Sequence, residues 1–208
     1  MRQNSRIIGL TGNIASGKST AVGYLIEKGY PIVDADKISH SVTKFGEEGY
    51  IAVVNHFSSN ILSADLSIDR DKLGHIVFNN PEELGVLNNI LHPIIREKIK
   101  STIEFFLEEY PVVIVDVPLL FEVLEDLNDA GIIFDEIWMI YVDEKEQIKR
   151  LMKRDGIAEN FAIKKIKSQM SSKEKCEKAD YVLDNNGNLE TLFQQIDRGL
   201  ERLDIEVK

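Results

Sequence analysis

Cysteine is nearly absent from this chain. The single thiol, Cys176, excludes an intramolecular disulfide, and with no histidine or second cysteine close to it in sequence it signals neither a metal cluster nor an activated nucleophile. Cationic charge is in deficit. The 25 Lys and Arg against 35 Asp and Glu leave a net charge of −10 at pH 7, whereas nucleic-acid binders and proteins held on anionic lipid usually carry a basic surplus. Long apolar runs are also missing. No stretch approaches the roughly 20 residues of a membrane span, and the polar opening Met1–Arg6 does not read as a signal peptide. There is no internal repeat and no low-complexity tract. What remains is 208 residues, 43% hydrophobic and 29% charged, which suits one sizeable core. The expectation is a cytoplasmic monomer or weak homo-oligomer that works on small molecules, with no nucleic-acid or membrane partner.

Alternation organises the chain. β-prone runs at residues 6–11, 30–33, 112–117, 136–142 and 179–183 are separated by helical patterns, including residues 144–155, 161–170 and 189–203. The β-branched run Val112–Val117 suits a strand buried on both faces. Strands alternating with helices predict an α/β fold with a parallel five-stranded sheet between helical layers. Residues 37–110 are mostly helical and too long for a simple crossover, with two helices predicted on either side of His92-Pro93. They read as a helical substrate-binding insertion within a single domain spanning 1–208. The core is then about 1–36, 111–143 and 177–208, and the insertion about 37–110. Residues 144–175 hold ten basic and five acidic side chains, a local net charge of +5 in an acidic chain. This segment reads as a helical lid over about 144–176, although a solvated helix face explains the same charges equally well.

Gly12-Asn13-Ile14-Ala15-Ser16-Gly17-Lys18-Ser19 matches G-x-x-x-x-G-K-[ST], preceded by a strand and followed by a helix. Glycines let successive N–H groups turn inward on phosphate oxygens, and the helix adds its positive end at the same point. Lys18 can reach the outer phosphates, and the Ser19 hydroxyl can ligate Mg²⁺. This predicts a nucleoside triphosphate site. No Asn-Lys pair occurs, so the guanine-reading tetrapeptide of GTPases is absent. A small-molecule kinase is favoured, because it needs a second pocket.

Further segments narrow the class. They are Val33-Asp34-Ala35-Asp36-Lys37-Ile38, Ile68-Asp69-Arg70, Leu87-Asn88-Asn89-Ile90-Leu91-His92-Pro93, Val115–Glu122, Gln147–Asp155 and Ala179–Leu183, following Gly9-Leu10-Thr11-Gly12 in that order. Together they resemble the dephospho-CoA kinase family over nearly the whole chain. The resemblance implies a P-loop nucleotide-kinase-like fold and ATP-dependent phosphorylation of the ribose 3′-hydroxyl of dephospho-CoA, giving CoA and ADP with Mg²⁺, the last step of coenzyme A synthesis. The family commonly has glycine where Asn13 and Ala15 stand, and arginine where His40 stands.

The resemblance and the chemistry of phosphoryl transfer assign roles. Ala15, Ser16, Gly17, Lys18, Ser19 and Thr20 wrap the ATP phosphates. Asp34, at the carboxyl end of the second strand, is the expected base, with a helix cap or an ion pair as its alternative; Asp36 is the lesser candidate. Asp116 ends a buried strand and is the expected Mg²⁺ partner with Ser19. Pro118, Leu119, Phe121 and Glu122 line the acceptor side. Arg70 and His92 touch the acceptor nucleotide, with a cap before Pro93 as the alternative for His92. Arg150 and Arg154, four residues apart on one helix face, clamp phosphates, and replacing either with lysine is expected to impair turnover. Two other readings stay open: a P-loop phosphotransferase for a different nucleotide or a sugar acid, and a nucleotide-dependent binding module without transferase activity.

Overall fold

The computed structural model describes residues 5–203. The chain divides into two compact units, one formed by residues up to Asp34 and from Ile103 onward, the other by Ala35–Thr102.

The first unit is built on a parallel sheet. Its strands are β1 (Arg6–Gly12), β2 (Ile32–Asp34), β3 (Val112–Asp116), β4 (Glu136–Tyr141) and β5 (Tyr181–Asp184), in the order β2-β3-β1-β4-β5. Every residue of β3 is buried, as its continuous β-branched sequence predicts. Helix α1 (Lys18–Glu27) and the last helix, α10 (Leu189–Arg202), cover one face. There Ile8, Leu10, Leu25, Ile114, Trp138, Leu192 and Ile196 are wholly buried. Asn188 caps α10 by accepting from the Thr191 N–H at 2.8 Å. Gly199 lets this helix pass close to the sheet, since a Cβ there would lie 2.8 Å from the Trp138 ring. Burying Leu192 and Ile196 contributes about 1.5–3 kcal/mol each, which ties α10 down at the end of the described chain. Between β3 and β4 lies α6 (Leu120–Asp129); α7 (Glu144–Asp155), α8 (Glu159–Lys167) and α9 (Ser172–Lys178) lie between β4 and β5.

The second unit contains α2 (Ala35–Ser41), α3 (Glu48–Phe57), a 3₁₀ turn (Ser59–Ile61), α4 (Arg70–Phe78) and most of α5 (Pro81–Leu107). Val53, Phe57, Ile61 and Val77 form its core, packed by Leu73, Leu84, Leu87, Ile90 and Leu91. Asp69 caps α4 through the N–H groups of Asp71 and Lys72, each at 3.1 Å.

The two helices expected on either side of His92-Pro93 are one helix, with Pro93 inside it. Proline removes a single donor, the one that would serve the Asn89 carbonyl. Pro93 and Asn89 are both exposed, so the carbonyl that loses its donor lies on the solvent side, and the apolar stripe Leu84, Leu87, Ile90 and Leu91 holds the helix together. His92 is therefore mid-helix and exposed, not a cap. No described helix is long and apolar enough to cross a membrane.

Candidate active site

β1 delivers the chain into the glycine loop at the carboxyl edge of the sheet, where open α/β sheets bind ligands. The loop turns through a Ser16 N–H to Asn13 carbonyl bond of 3.0 Å. Gly17 then takes φ +89, and a side chain at that position would also collide with the Asn185 amide. Helix α1 starts without a side-chain cap and has no acidic residue in its first turn. The Thr20 and Ala21 N–H groups turn back to the Gly17 carbonyl, which leaves those of Lys18 and Ser19 for an anion. Ser19 is exposed on that first turn, and Thr20 follows it partly buried.

Lys18 forms an ion pair with Asp116 on β3. The side chains are only 17% and 11% exposed, so the pair is poorly screened. β2 runs beside β3 with Asp34 in register with Asp116, which puts their backbones about 4.8 Å apart. Asp34 is half-buried, and it is the last residue of its strand. Fold and register therefore bring Lys18, Asp116 and Asp34 together. The segment after β3 is fixed to β1: the Val117 N–H donates to the Leu10 carbonyl at 3.0 Å and Thr11 Oγ1 donates to the Pro118 carbonyl at 3.1 Å. Pro118 and Phe121 are half-buried and Leu119 is exposed.

The residues that hold the loop come from the far end of the chain. Asn13 Nδ2 donates to the Met170 carbonyl and to Ser172 Oγ, both at 3.1 Å. The Ile14 N–H donates to Gln169 Oε1 at 3.0 Å, and Gln147 Nε2 donates to the Ile14 carbonyl at 2.8 Å. Asn185, just past β5, donates to the Ser16 carbonyl at 2.7 Å. Gln147 opens one of the segments quoted from the sequence, but none of Gln169, Ser172 and Asn185 stood out there. Only α9 carried a local signal, the capping box Ser171-x-x-Glu174, which the structure forms. Ala15 takes the left-handed φ of +61, an unusual conformation for a residue with a Cβ. Its methyl packs beside Ile14 against Leu151, Ala162 and Ile166 of α7 and α8.

The two arginines of α7 part company. Arg150 Nη2 donates to the Asn185 carbonyl at 2.8 Å and Nε to Glu146 at 3.0 Å, beside Gly17. Arg154 bonds Asp155 at 2.8 Å, where Lys165 also arrives. These two cations, Arg154 first, hold the Asp155 carboxyl down at about 2. A depressed carboxyl favours folding above its ordinary range and loses that contribution only as pH falls towards 2, so the trio persists through the neutral range. Arg150, ahead of Lys149, likewise holds the Glu146 carboxyl below its usual value. Burial pushes the Cys176 thiol up, the opposite of what a nucleophile needs.

Within the second unit, Arg70 pairs with His40, and both line a recess of about 540 Å³ with Ser39, Thr43 and Leu73. His92 is not among its lining residues. The oxygen donors that Ser19 and Asp116 offer at the loop suit Mg²⁺, which takes few protein ligands and keeps water and phosphate in its shell.

Known proteins resemble this chain in sequence and fold. A family model described as CoaE, dephospho-CoA kinase, covers residues 6–191. A dephospho-CoA kinase of Oceanobacillus iheyensis is 42% identical over 200 residues, spanning 96% of this chain and 98% of that protein. One of Carboxydothermus hydrogenoformans is 45% identical over 191 residues, 91% of this chain and 90% of that protein. Among solved structures, a dephospho-CoA kinase from Campylobacter jejuni superposes with a TM-score of 0.71 at 30% identity, covering 95% of this chain and 96% of that one. A shikimate kinase from Acinetobacter baumannii, at 15% identity, TM-score 0.56 and coverage of 98% and 97%, shares the fold.

Proposed function

We propose a division of labour among these residues from one premise: the chain belongs to the dephospho-CoA kinase family. Its reaction moves the γ-phosphoryl group of ATP to an alcohol, the ribose 3′-hydroxyl of dephospho-CoA. The observation that carries the assignment is the row Lys18–Asp116–Asp34 across the ends of α1, β3 and β2. In this reading Ala15 to Thr20 enclose the phosphates, and Lys18 follows the charge as it shifts to the leaving oxygen. Asp34 accepts the proton of the attacking hydroxyl. Ser19 and Asp116 would hold Mg²⁺, which would supply charge neutralisation. Pro118, Leu119, Phe121 and Glu122 face the acceptor, and Arg70 and His92 of the helical unit contact its nucleotide. The reading extends to a cytoplasmic monomer or weak homo-oligomer, in keeping with the single thiol Cys176.

Protein, Mg-ATP and dephospho-CoA mixed together give a product heavier by one phosphate, and ADP appears only when the acceptor is present. ADP release without acceptor, or no phosphorylated product, rejects the assignment. A panel of other nucleotides and sugar acids tests the remaining phosphotransferase readings.

Residues 144–176 serve as the lid, and the two arginines are expected to differ. Arg150→Lys loses the fork that joins Glu146 to the Asn185 carbonyl and lowers kcat/KM for ATP about tenfold, the effect of one charge-assisted hydrogen bond. Arg154→Lys, on an exposed ion pair, changes it little. Hydrogen exchange over 144–176 slows on adding a non-hydrolysable ATP analogue. Unchanged exchange, together with a fully active Arg150→Lys, removes the lid.

A further inference from the structure

Lys175 is wholly buried, which is rare for a lysine. It sits on α9, and its ammonium lies 2.9 Å from Glu122 Oε1, on the first turn of α6. The Glu122 side chain remains 26% exposed. The same Oε1 accepts from the Met170 N–H at 3.3 Å, while the Met170 carbonyl accepts from Asn13 of the glycine loop. Oε2 has no hydrogen-bond partner among the described residues. Glu122 also lines a recess of about 630 Å³, shared with Phe121, Leu124, Met170 and Lys178. Oε1 thus takes one hydrogen bond, from the Met170 N–H, and one ion-pair contact, from Lys175, whose buried Nζ makes no hydrogen bond among the described residues, while Oε2 takes neither.

Desolvating an ammonium is costly, and burying an ion pair seldom stabilises more than apolar packing of the same volume. Stability alone therefore gives a weak reason for a lysine here. Fixing a carboxylate gives a stronger one. A glutamate at a helix start has three rotatable bonds, and an acceptor would have to freeze them on binding. It would also present its charge to an anionic substrate without any compensation.

We propose that Lys175 is a positioning residue: it orients and neutralises Glu122 so that Oε2 accepts a hydrogen bond from an N–H or O–H group of the acceptor. This rests on the reading of Glu122 as an acceptor-side residue. The test measures KM for dephospho-CoA, KM for ATP, kcat and melting temperature in Lys175→Met, Lys175→Arg, Glu122→Gln and the double variant Lys175→Met/Glu122→Gln.

Lys175→Met and Glu122→Gln each raise KM for dephospho-CoA about tenfold, with KM for ATP within about twofold. The double variant is no worse than either single one, because both act through the same contact. Lys175→Arg restores most of the loss. If Lys175→Met fails to fold, the double variant, which removes both charges, carries the test. A raised acceptor KM in Glu122→Gln alone rejects the role of Lys175 and keeps that of Glu122. An unchanged KM in Glu122→Gln rejects the acceptor-side reading itself. A purely structural lysine lowers the melting temperature of Lys175→Met and moves both KM values together or neither, which overturns the proposal.

Discussion

Lys18→Ala lowers kcat by about a hundred- to a thousandfold, the usual cost of removing one preorganised charge from a transferring group. Lys18 is not part of the hydrophobic core around Ile8, Leu10 and Trp138, so the fold persists. Its ion pair with Asp116 is partly accessible to solvent, and losing it costs on the order of 1–3 kcal/mol of stability. Activity should therefore be measured well below the melting temperature, with secondary structure verified by circular dichroism. Near-normal turnover in a folded variant removes the ATP site from the glycine loop.

Asp34→Asn separates chemistry from binding. Asparagine keeps the shape and the strand register with Asp116 but cannot accept a proton as a carboxylate does. The expected result is a fall in kcat of about 10²–10⁴-fold with KM for ATP nearly unchanged. If Asp34→Asn turns over normally, Asp36, exposed on the first turn of α2, becomes the better candidate, or no protein base is needed.

The sequence announces the sheet because each strand carries its own local signal. Val112–Asp116 needs no partner to look buried, and Asp34 and Asp116 each close an apolar run, so their positions at strand ends were legible. That they share a register was not. Register depends on how β2 and β3 pair, and neither strand encodes that by itself. The glycine loop was legible for the same local reason, but its fasteners were not. Gln147, Gln169, Ser172 and Asn185 are ordinary polar residues whose partners lie 133 to 169 positions away. Asn13 looked like a departure from a common glycine, yet its amide anchors the loop to Met170 and Ser172. Pro93 misled in the other direction, since a local rule for helix ends yielded to the burial of a stripe on the opposite face. Lys175 was only one of ten basic residues in its segment. Its burial is a property of the packing of α9.

The loop's distant fasteners also bear on synthesis. Residues 12–19 leave the ribosome well before residues 147–185, which supply the groups that hold Asn13, Ile14 and the Ser16 carbonyl. A nascent chain has the phosphate-binding sequence long before it has the parts that set its shape. Nucleotide cannot stabilise early intermediates through this loop, because linkage acts only on states that bind. High-separation contacts of this kind also form late and slow folding. ATP should therefore protect the completed chain from proteolysis, whereas ribosome-stalled chains that end before Asn185 should remain just as susceptible with it as without it.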